Sequence, residues 1–573
     1  MHEPLLNEDV SAPEAICRVL EDAGIDHVFG MPGGMTVPIF DALYDHTETI
    51  RTVLVREETR AGVMAEVYGR LKGRPGIAMG QGAFLTTASV GAIEAHLSSS
   101  PMVLFGDLSD GGNFSLHGPY QAGTGAPGTW DAPSLFGAMT KATYVARTPE
   151  EAVHSVQLAL RTATTGEPGP VAVLFSARSV RGTVGPKTRP ALYRRGPDQP
   201  RGSVGIDTDT LRRAAELLAG ADRPVVIAGG GVRNARAFDD LRRVASDLGA
   251  PVATSANGKS VIAETDNLAV GVYGTFGTPL ANAVVAAADV VLVVGSKLGP
   301  TDTANENPDL LDPGRQRIVH IDVEPANLSW SYPADVALVG DARVMLSHLA
   351  EEISARMSPD RRAQRLAALD AAVGEHGRFD QPELSSDAVP VLPQRVIGDL
   401  SRTIPADAIV CGDAGENRIF MTHYFQSPGT NTFVQPAGVG AMGYAIPGAL
   451  AAKLAFPERP VLGLCGDGGF GIGMNGLMTA REENIPITVV VLNNQALGWV
   501  LHGQKDRPIA SSFAPYDHAA IARAMGCEGI RVERPDDVGP ALARAIASNR
   551  PTVVDVVTSL GETFERVTSP LAR

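Results

Sequence analysis

The run Gly466-Asp467-Gly468 is followed, after 25 intervening residues, by Asn494 in Leu492-Asn493-Asn494. Residues 461–464 read as an apolar strand, 476–483 as a helix and 487–492 as a second strand, which together make a βαβ unit. Ligands of such units sit at the carboxyl ends of the strands, where Asp467 and Asn494 both fall. A carboxylate and an amide oxygen meeting there suit one hard cation. Mg2+ takes oxygen ligands and keeps phosphate oxygens and water as partners, so the pair implies a phosphorylated cofactor. A bare Gly-Asp-Gly triplet would be an ordinary turn; the strand context and the placing of the Asn carry the reading.

The elements that must position this pair belong to a large α/β chain. With 573 residues, 44% of them hydrophobic, several domains with substantial cores are expected. A net charge of −15 argues against nucleic acid as a partner and for a soluble protein. Cys17, Cys411, Cys465 and Cys527 show neither metal spacing nor a disulfide framework, which points to a reducing compartment. The N-terminus lacks a basic segment followed by an apolar core, and no apolar run is long enough to span a bilayer, so the reading is cytoplasmic with no membrane partner. Three domains are marked out at 1–180, 206–356 and 394–573. A Pro/Gly/Arg-rich linker covers 181–205, and a polar stretch at 357–393 reads as part helix and part linker. Short, fully apolar strands such as 224–228, 290–294 and 317–323 are typical of buried parallel sheets. The expected fold is α/β, with three doubly wound parallel-sheet domains.

The Asp467/Asn494 spacing resembles the magnesium-diphosphate motif of thiamine diphosphate enzymes, in the branch containing acetolactate synthase and benzoylformate decarboxylase. Met64-Ala65-Glu66-Val67-Tyr68-Gly69-Arg70 resembles the helix that follows the catalytic glutamate of that family, and six residues before Met64 stands Glu58. The resemblance implies a pyrimidine-binding, a Rossmann-like middle and a diphosphate-binding domain, with thiamine diphosphate and Mg2+ as cofactors. It implies that Glu58 hydrogen-bonds the aminopyrimidine ring, a task suited to a carboxyl raised in pKa by an apolar pocket. Here Arg56-Glu57-Glu58 replaces the usual Arg-His-Glu. Neighbours on a strand point to opposite faces, so one of the two acids enters the pocket; spacing favours Glu58 and leaves Glu57 as a surface or salt-bridging acid.

By the same resemblance Gly440 and Met442 belong to the loop under the bent cofactor. Gly415, Glu416 and Asn417 belong to the segment meeting the diphosphate, although Glu416 and Asn417 replace glutamine and histidine. The Ala496 carbonyl completes the metal set of Asp467 and Asn494, and Gly466, Gly468, Gly469, Leu497 and Gly498 are further candidate cofactor contacts. Related middle domains hold FAD, hold the ADP part of coenzyme A, or stay empty; Gly271 to Gly277 and Gly295-Ser296-Lys297 look like turns at that place. Gly229-Gly230-Gly231 lacks the full Gly-x-Gly-x-x-Gly order and reads as a structural turn.

Substrate motifs depart from the family. Residues 80–87 replace the synthase loop Thr-Ser-Gly-Pro-Gly-Ala-Thr-Asn, and Gly128-Thr129-Trp130-Asp131 replaces its Phe-Gln-Glu element. Trp499, His502 and Gly503 stand for a methionine, a glutamine and a tryptophan, which means a remodelled pocket. Adjacent decarboxylase histidines are absent, and Gly34 replaces the benzoylformate decarboxylase serine. Candidate catalytic groups beside Glu58 are Gln81, His117 and His502, the histidines being equally readable as surface loop residues. Lys505 and Arg507 suit a carboxylate or phosphate if their loop closes, or are simply solvated. The expected activity is decarboxylation of a 2-oxo acid with carboligation. The alternatives are a 2-hydroxyacyl-CoA lyase releasing formyl-CoA and a carbonyl compound, or an inactive cofactor-binding homologue. The family's split site implies a homodimer, or a homotetramer of two such dimers, acting on a small molecule.

Overall fold

The computed structural model describes residues 3–111, 118–196 and 205–572. They divide into two compact units, the first running to residue 202 with Leu450–Ala455 added, the second comprising the remainder. Three six-stranded sheets, parallel throughout, carry the architecture.

The sheet of the first unit runs, edge to edge, Arg51–Leu54, His27–Gly30, Gly76–Met79, Met102–Asp107, Pro170–Phe175 and Ala142–Ala146. Its central strands are buried on both faces, as helices on each side require. One face packs under Ala12–Asp22 and Pro149–Thr164, helices started by the Ser11 and Thr148 side chains, which accept from the N–H groups of Glu14 and Glu151. The other face meets Glu58–Lys72, where the Phe29 and Tyr68 rings lie 5.7 Å apart. That helix is buried almost end to end and stops at Gly73, whose φ of 68° suits glycine. Within it Arg70 is buried between Glu66 (2.6 Å) and Glu94 (2.9 Å).

Two expectations change here. Glu57 and Glu58 are not strand neighbours: the strand ends at Leu54, Glu57 is the extended residue that starts the helix, and Glu58 is its first turn. Cap geometry, not strand alternation, separates the two acids. The segment after residue 180 is also more than a linker, since Thr183–Val184 pairs antiparallel with Val10–Ser11.

In the second unit the middle sheet runs Ala269–Val272, Val252–Thr254, Pro224–Ala228, Val290–Val294, Arg317–Asp322, Val336–Val339, and its order reverses between the third and fourth of these. The last sheet runs Phe433–Val434, Ile409–Gly412, Val461–Gly466, Thr488–Asn493, Thr552–Val557, Glu528–Val532, the same winding as the first unit's sheet. The stretch 357–393 is about half helix, Pro359–His376. Its Arg365 is buried and donates to the carbonyls of Leu218 (3.1 Å), Ala219 (3.0 Å) and Leu248 (2.8 Å), where two helices of the middle layer end. Among the described residues no helix is long and apolar enough to cross a membrane.

Lys259 is wholly buried in this unit, 2.7 Å from both oxygens of Glu264 and ringed by Phe379, Phe425 and Phe433. Glu264 also accepts from the Ser427 N–H at 2.7 Å. Removing one partner strands the other charge, so Glu264→Ala is expected to cost about 3–5 kcal/mol in urea unfolding, and Lys259→Met with Glu264→Leu to recover most of it.

Candidate functional site

The order of the last sheet reverses between Ile409–Gly412 and Val461–Gly466, and the candidate residues gather at the carboxyl ends of these strands and of Thr488–Asn493. Asp467 opens the helix Asp467–Gly473, a turn of helix that its glycine content had hidden. Its Oδ2 accepts from the N–H groups of Asn494 (3.0 Å) and Gln495 (3.2 Å), which brings Asp467 and Asn494 together. Gln495 turns the chain with φ of 60°, and the Asn494 Oδ1 accepts from the Ala496 N–H at 3.1 Å.

The glycines leave room for these contacts. A Cβ on Gly466 would lie 2.5 Å from Asn417 Nδ2, one on Gly469 2.5 Å from Asp413 Oδ1, and one on Gly498 2.3 Å from Glu416 Oε2. At Gly468 it would meet Leu497 Cδ2 at 2.7 Å and Met442 Sδ at 3.1 Å. Gly415 and Gly440 are needed instead for their φ of 75° and 69°.

Two residues outside the candidate set, Asp413 at the head of the diphosphate segment 413–417 and His518, hold the site in shape. Asp413 is buried, its Oδ1 accepting from the N–H groups of Ala414 (2.9 Å) and Gly443 (3.0 Å) and its Oδ2 from that of Ala445 (2.8 Å), so it pins the Met442 loop to the sheet. Burial pushes its carboxyl up, and these backbone donors offset part of the rise. His518 sits behind Asp467, with Nε2 3.8 Å from Asp467 Oδ1 and Nδ1 3.3 Å from Asp555 Oδ1. Burial raises the Asp467 carboxyl, and His518 opposes it. Asp413 directly follows a strand, as Asp467 does, so the same rule would have found it; His518 arrives from a helix 25 residues after Asn493 and has no such signal.

Glu416, in the segment expected to meet the diphosphate, has an Oε1 that accepts from the Phe564 N–H at 3.0 Å and lies 2.7 Å from His502 Nδ1. Burial raises this carboxyl, and His502 pulls it down. His502 is not on a surface loop: it lies on the helix Gly498–Gln504, and its Nε2 donates to the Leu560 carbonyl at 2.9 Å. Trp499 on the same helix stacks on Phe564 at 4.2 Å and meets Phe276 edge-on at 5.9 Å. The chain beyond folds back, Leu497 N–H donating to Ser511 and Phe513 N–H to Gln495, while Lys505 and Arg507 remain exposed.

In the first unit Glu58 is buried beside Gly80, where a Cβ would lie 3.2 Å from its Cγ. Burial raises the Glu58 carboxyl, its own backbone N–H offsets part of this, and the charge of Glu57 adds to the rise. Glu57 itself pairs with Arg60 at 3.0 Å and accepts from the Thr59 hydroxyl. Gln81 precedes the short helix Gly82–Leu85 and donates to Gln121 (2.6 Å) and Ser109 (3.2 Å). Buried Asp107 gathers the same region, accepting from Gly82 N–H (2.6 Å) and Met35 N–H (2.7 Å). His117 lies outside the described residues.

The chain matches the N-terminal TPP-binding domain of the thiamine pyrophosphate enzymes over residues 10–122, their central domain over 211–349 and their C-terminal TPP-binding domain over 413–556. The chain belongs to the thiamine pyrophosphate enzyme family. It is 30% identical to the probable acetolactate synthase large subunit of Methanocaldococcus jannaschii, over 97% of this chain and 93% of that protein. It is also 30% identical to the acetolactate synthase large subunit of Corynebacterium glutamicum, over 96% of this chain and 87% of that one. A third relative, the isozyme 3 large subunit of Escherichia coli, is again 30% identical, over 96% and 95%. It is a thiamine diphosphate-dependent enzyme of acetolactate-synthase-like type.

Among the described residues no group of three or more His, Cys, Asp and Glu side chains is placed to hold a metal ion. Asp467, Asn494 and the Ala496 carbonyl offer donors of another kind, one carboxylate, one amide oxygen and one backbone carbonyl, and hard oxygen donors of this sort fit Mg2+ held jointly with a diphosphate.

Because burial raises the Glu58 carboxyl, the folded chain holds that proton more tightly than the unfolded one. The stability this supplies is full below the unfolded pKa and is lost as pH rises through the folded value. Cofactor-free Glu58→Gln is therefore expected to melt a few degrees above the parent near about pH 8, with the gap closing towards about pH 4. A gap that does not change with pH would remove the buried-carboxyl assignment.

Proposed function

We propose that this enzyme uses thiamine diphosphate and Mg2+ to decarboxylate a 2-oxo acid and pass the remaining fragment to a second carbonyl compound, as a carbon-carbon lyase and ligase. The observation that carries the reading is the meeting of Asp467 and Asn494 at adjacent strand ends, in a chain that also buries the Glu58 carboxyl. The names of the relatives agree with it. Bound thiamine diphosphate supplies the carbon nucleophile and the electron sink. Glu58 holds a proton for exchange with the aminopyrimidine ring. Asp467, Asn494 and the Ala496 carbonyl hold Mg2+, while Met442 and Leu497 pack under the cofactor and Gly415, Asn417, Gly466, Gly468 and Gly469 let the backbone approach it. Gln81, His117 and His502 are the candidate catalytic groups beside Glu58, Gln81 and His117 as donors to the substrate carbonyl. His502 gives both ring nitrogens to Glu416 and the Leu560 carbonyl, so its part would be to hold the helix Gly498–Gln504 in place. The three domains are taken as 1–180, 206–356 and 394–573, in a cytoplasmic enzyme.

The working form is a homodimer, or a tetramer of two dimers, with Glu58 of one subunit serving the diphosphate domain of the other. Exposed apolar side chains support it: Phe84, Ile93, Leu97 and Leu135 in the first unit, and Val439, Ile472 and Met478 in the second. Glu58→Gln is expected to slow exchange of the thiazolium C2 proton by about 100-fold or more with cofactor binding nearly intact. Asp467→Ala is expected to lose the cofactor. Mixed and reassembled, the two inactive chains should regain about a quarter of parental activity, since half the dimers are hybrid and each hybrid has one whole site. No recovery from a mixture shown to exchange subunits rejects the shared site.

Substrate choice is checked with free 2-oxo acids. Pyruvate or a larger 2-oxo acid should release carbon dioxide, and an added aldehyde should yield a 2-hydroxy ketone. Rapid cleavage of a 2-hydroxyacyl-CoA with poor turnover of every 2-oxo acid would replace this reading by the coenzyme A lyase. No turnover of either class, with C2 exchange absent, would leave the inactive homologue.

A further inference from the structure

The middle sheet reverses its order between Pro224–Ala228 and Val290–Val294, and a nucleotide bound to such a sheet lays its phosphates on the glycine turn after the first of these strands. A phosphate seat there needs three things: free backbone N–H groups, glycines that let the ligand approach, and uncommitted positive charge. The turn after Ala228 spends two of its N–H groups, two of its glycines and its arginine on the protein itself.

The Gly229 N–H donates to the Val294 carbonyl at 2.9 Å and the Gly231 N–H to the Gly295 carbonyl at 3.0 Å. The glycines serve the same contact: a Cβ on Gly229 would lie 2.2 Å from the Gly295 oxygen, and one on Gly231 2.6 Å from the Gly295 Cα. The helix that follows, Gly230–Asn234, has five residues and little dipole to offer. Its Arg233 is buried and gives its guanidinium to the carbonyls of Asn257 and Lys259, both at 2.7 Å, and Lys259 in turn belongs to Glu264. Half-buried Lys297 is one cation against the charge of a diphosphate.

An acid stands near the same turn. The Asp302 carboxyl accepts from the Ala256 N–H at 3.2 Å, and the next residue, Asn257, reaches Gly230, where a Cβ would lie 2.8 Å from its Nδ2. Burial pushes the Asp302 carboxyl up to about 6, with the Ala256 N–H offsetting part of the rise, and its ionised form opposes a second anion at this turn. The backbone beside it is closed as well, since a Cβ on Gly274 would lie 2.4 Å from the Asp302 carbonyl oxygen, and the adjacent Tyr273 side chain is fully buried.

We infer that the middle domain excludes anionic nucleotides, FAD and the ADP part of coenzyme A alike, and that Asp302 is the residue that repels them. The inference is independent of the substrate proposed above, because it concerns binding and not turnover. Full-length protein is purified, and released small molecules are measured by absorbance and mass spectrometry. FAD and ADP are then titrated into it by calorimetry. Neither compound is expected to co-purify in stoichiometric amount or to bind at millimolar concentration. Asp302→Asn, which keeps size and one hydrogen-bond acceptor, is expected to tighten ADP binding by about tenfold or more. Stoichiometric flavin, or ADP binding to the parent with a Kd below about 1 mM, overturns the inference. A folded Asp302→Asn protein that binds ADP no better than the parent overturns the role given to Asp302.

Discussion

Backbone approaching backbone or side chain more closely than a Cβ allows is the constraint on which each layer of this molecule depends. Gly466, Gly469 and Gly498 meet Asn417, Asp413 and Glu416 at the ends of the last sheet, and Gly229 and Gly231 meet Gly295 at the end of the middle one. In the first unit Gly34 and Gly82 fit against Asp107, where a Cβ would come within 2.3 Å of its Oδ2 and 2.0 Å of its carbonyl oxygen. Loops drawn this tightly bring side chains from distant parts of the chain to one place. The same geometry assembles polar groups at the strand ends of the first and last sheets, and in the middle sheet it brings the turn after Ala228 against Gly295.

Much of this was legible beforehand. The apolar runs 224–228, 290–294 and 317–323 are strands because β-branched side chains buried on both faces have no other stable arrangement in a parallel sheet. Asp467 and Asn494 were found because strand ends can be read from apolar runs, and the structure brings the two together. Where tertiary contacts outweigh local propensity the reading failed. Asp467–Gly473 is helical despite four glycines because its surroundings hold it, whereas the helix Pro359–His376 falls within the stretch read as part helix. The ties of Glu416 to His502 and Phe564 span 86 and 148 residues, a separation at which a single sequence carries no pairing signal.

Four buried carboxyl groups crowd the end of the last sheet, and their partners sort them. Asp413 is satisfied by backbone N–H groups. For Asp555, burial raises the carboxyl, but His518, Asn493 and Arg531 together bring it below its ordinary value. Glu416 is tied to His502 and the chain near Phe564. Asp467 has two backbone donors on one oxygen, while the other oxygen faces His518 at the longer distance of 3.8 Å. It is the member of the group with charge left to offer, and burial makes that charge costly unless a cation compensates it. Electrostatics therefore favours the same residue that strand-end reasoning picked out.

The partners of Trp499 extend this sorting from charge to shape. Its indole stacks on Phe564, and the same short helix carries His502 on the Leu560 carbonyl, so the C-terminal segment is held against residues 498–504 by one aromatic and one polar tie. Ser569 continues the segment onto the middle layer, its N–H donating to the Thr275 carbonyl and its hydroxyl accepting from Asn282. A large ring committed to two neighbours cannot rearrange as freely as the methionine it replaces, because moving it would expose Phe276 and Phe564 together. The placing of residues 498–504 is thus imposed by the C-terminal segment as much as by the helix itself.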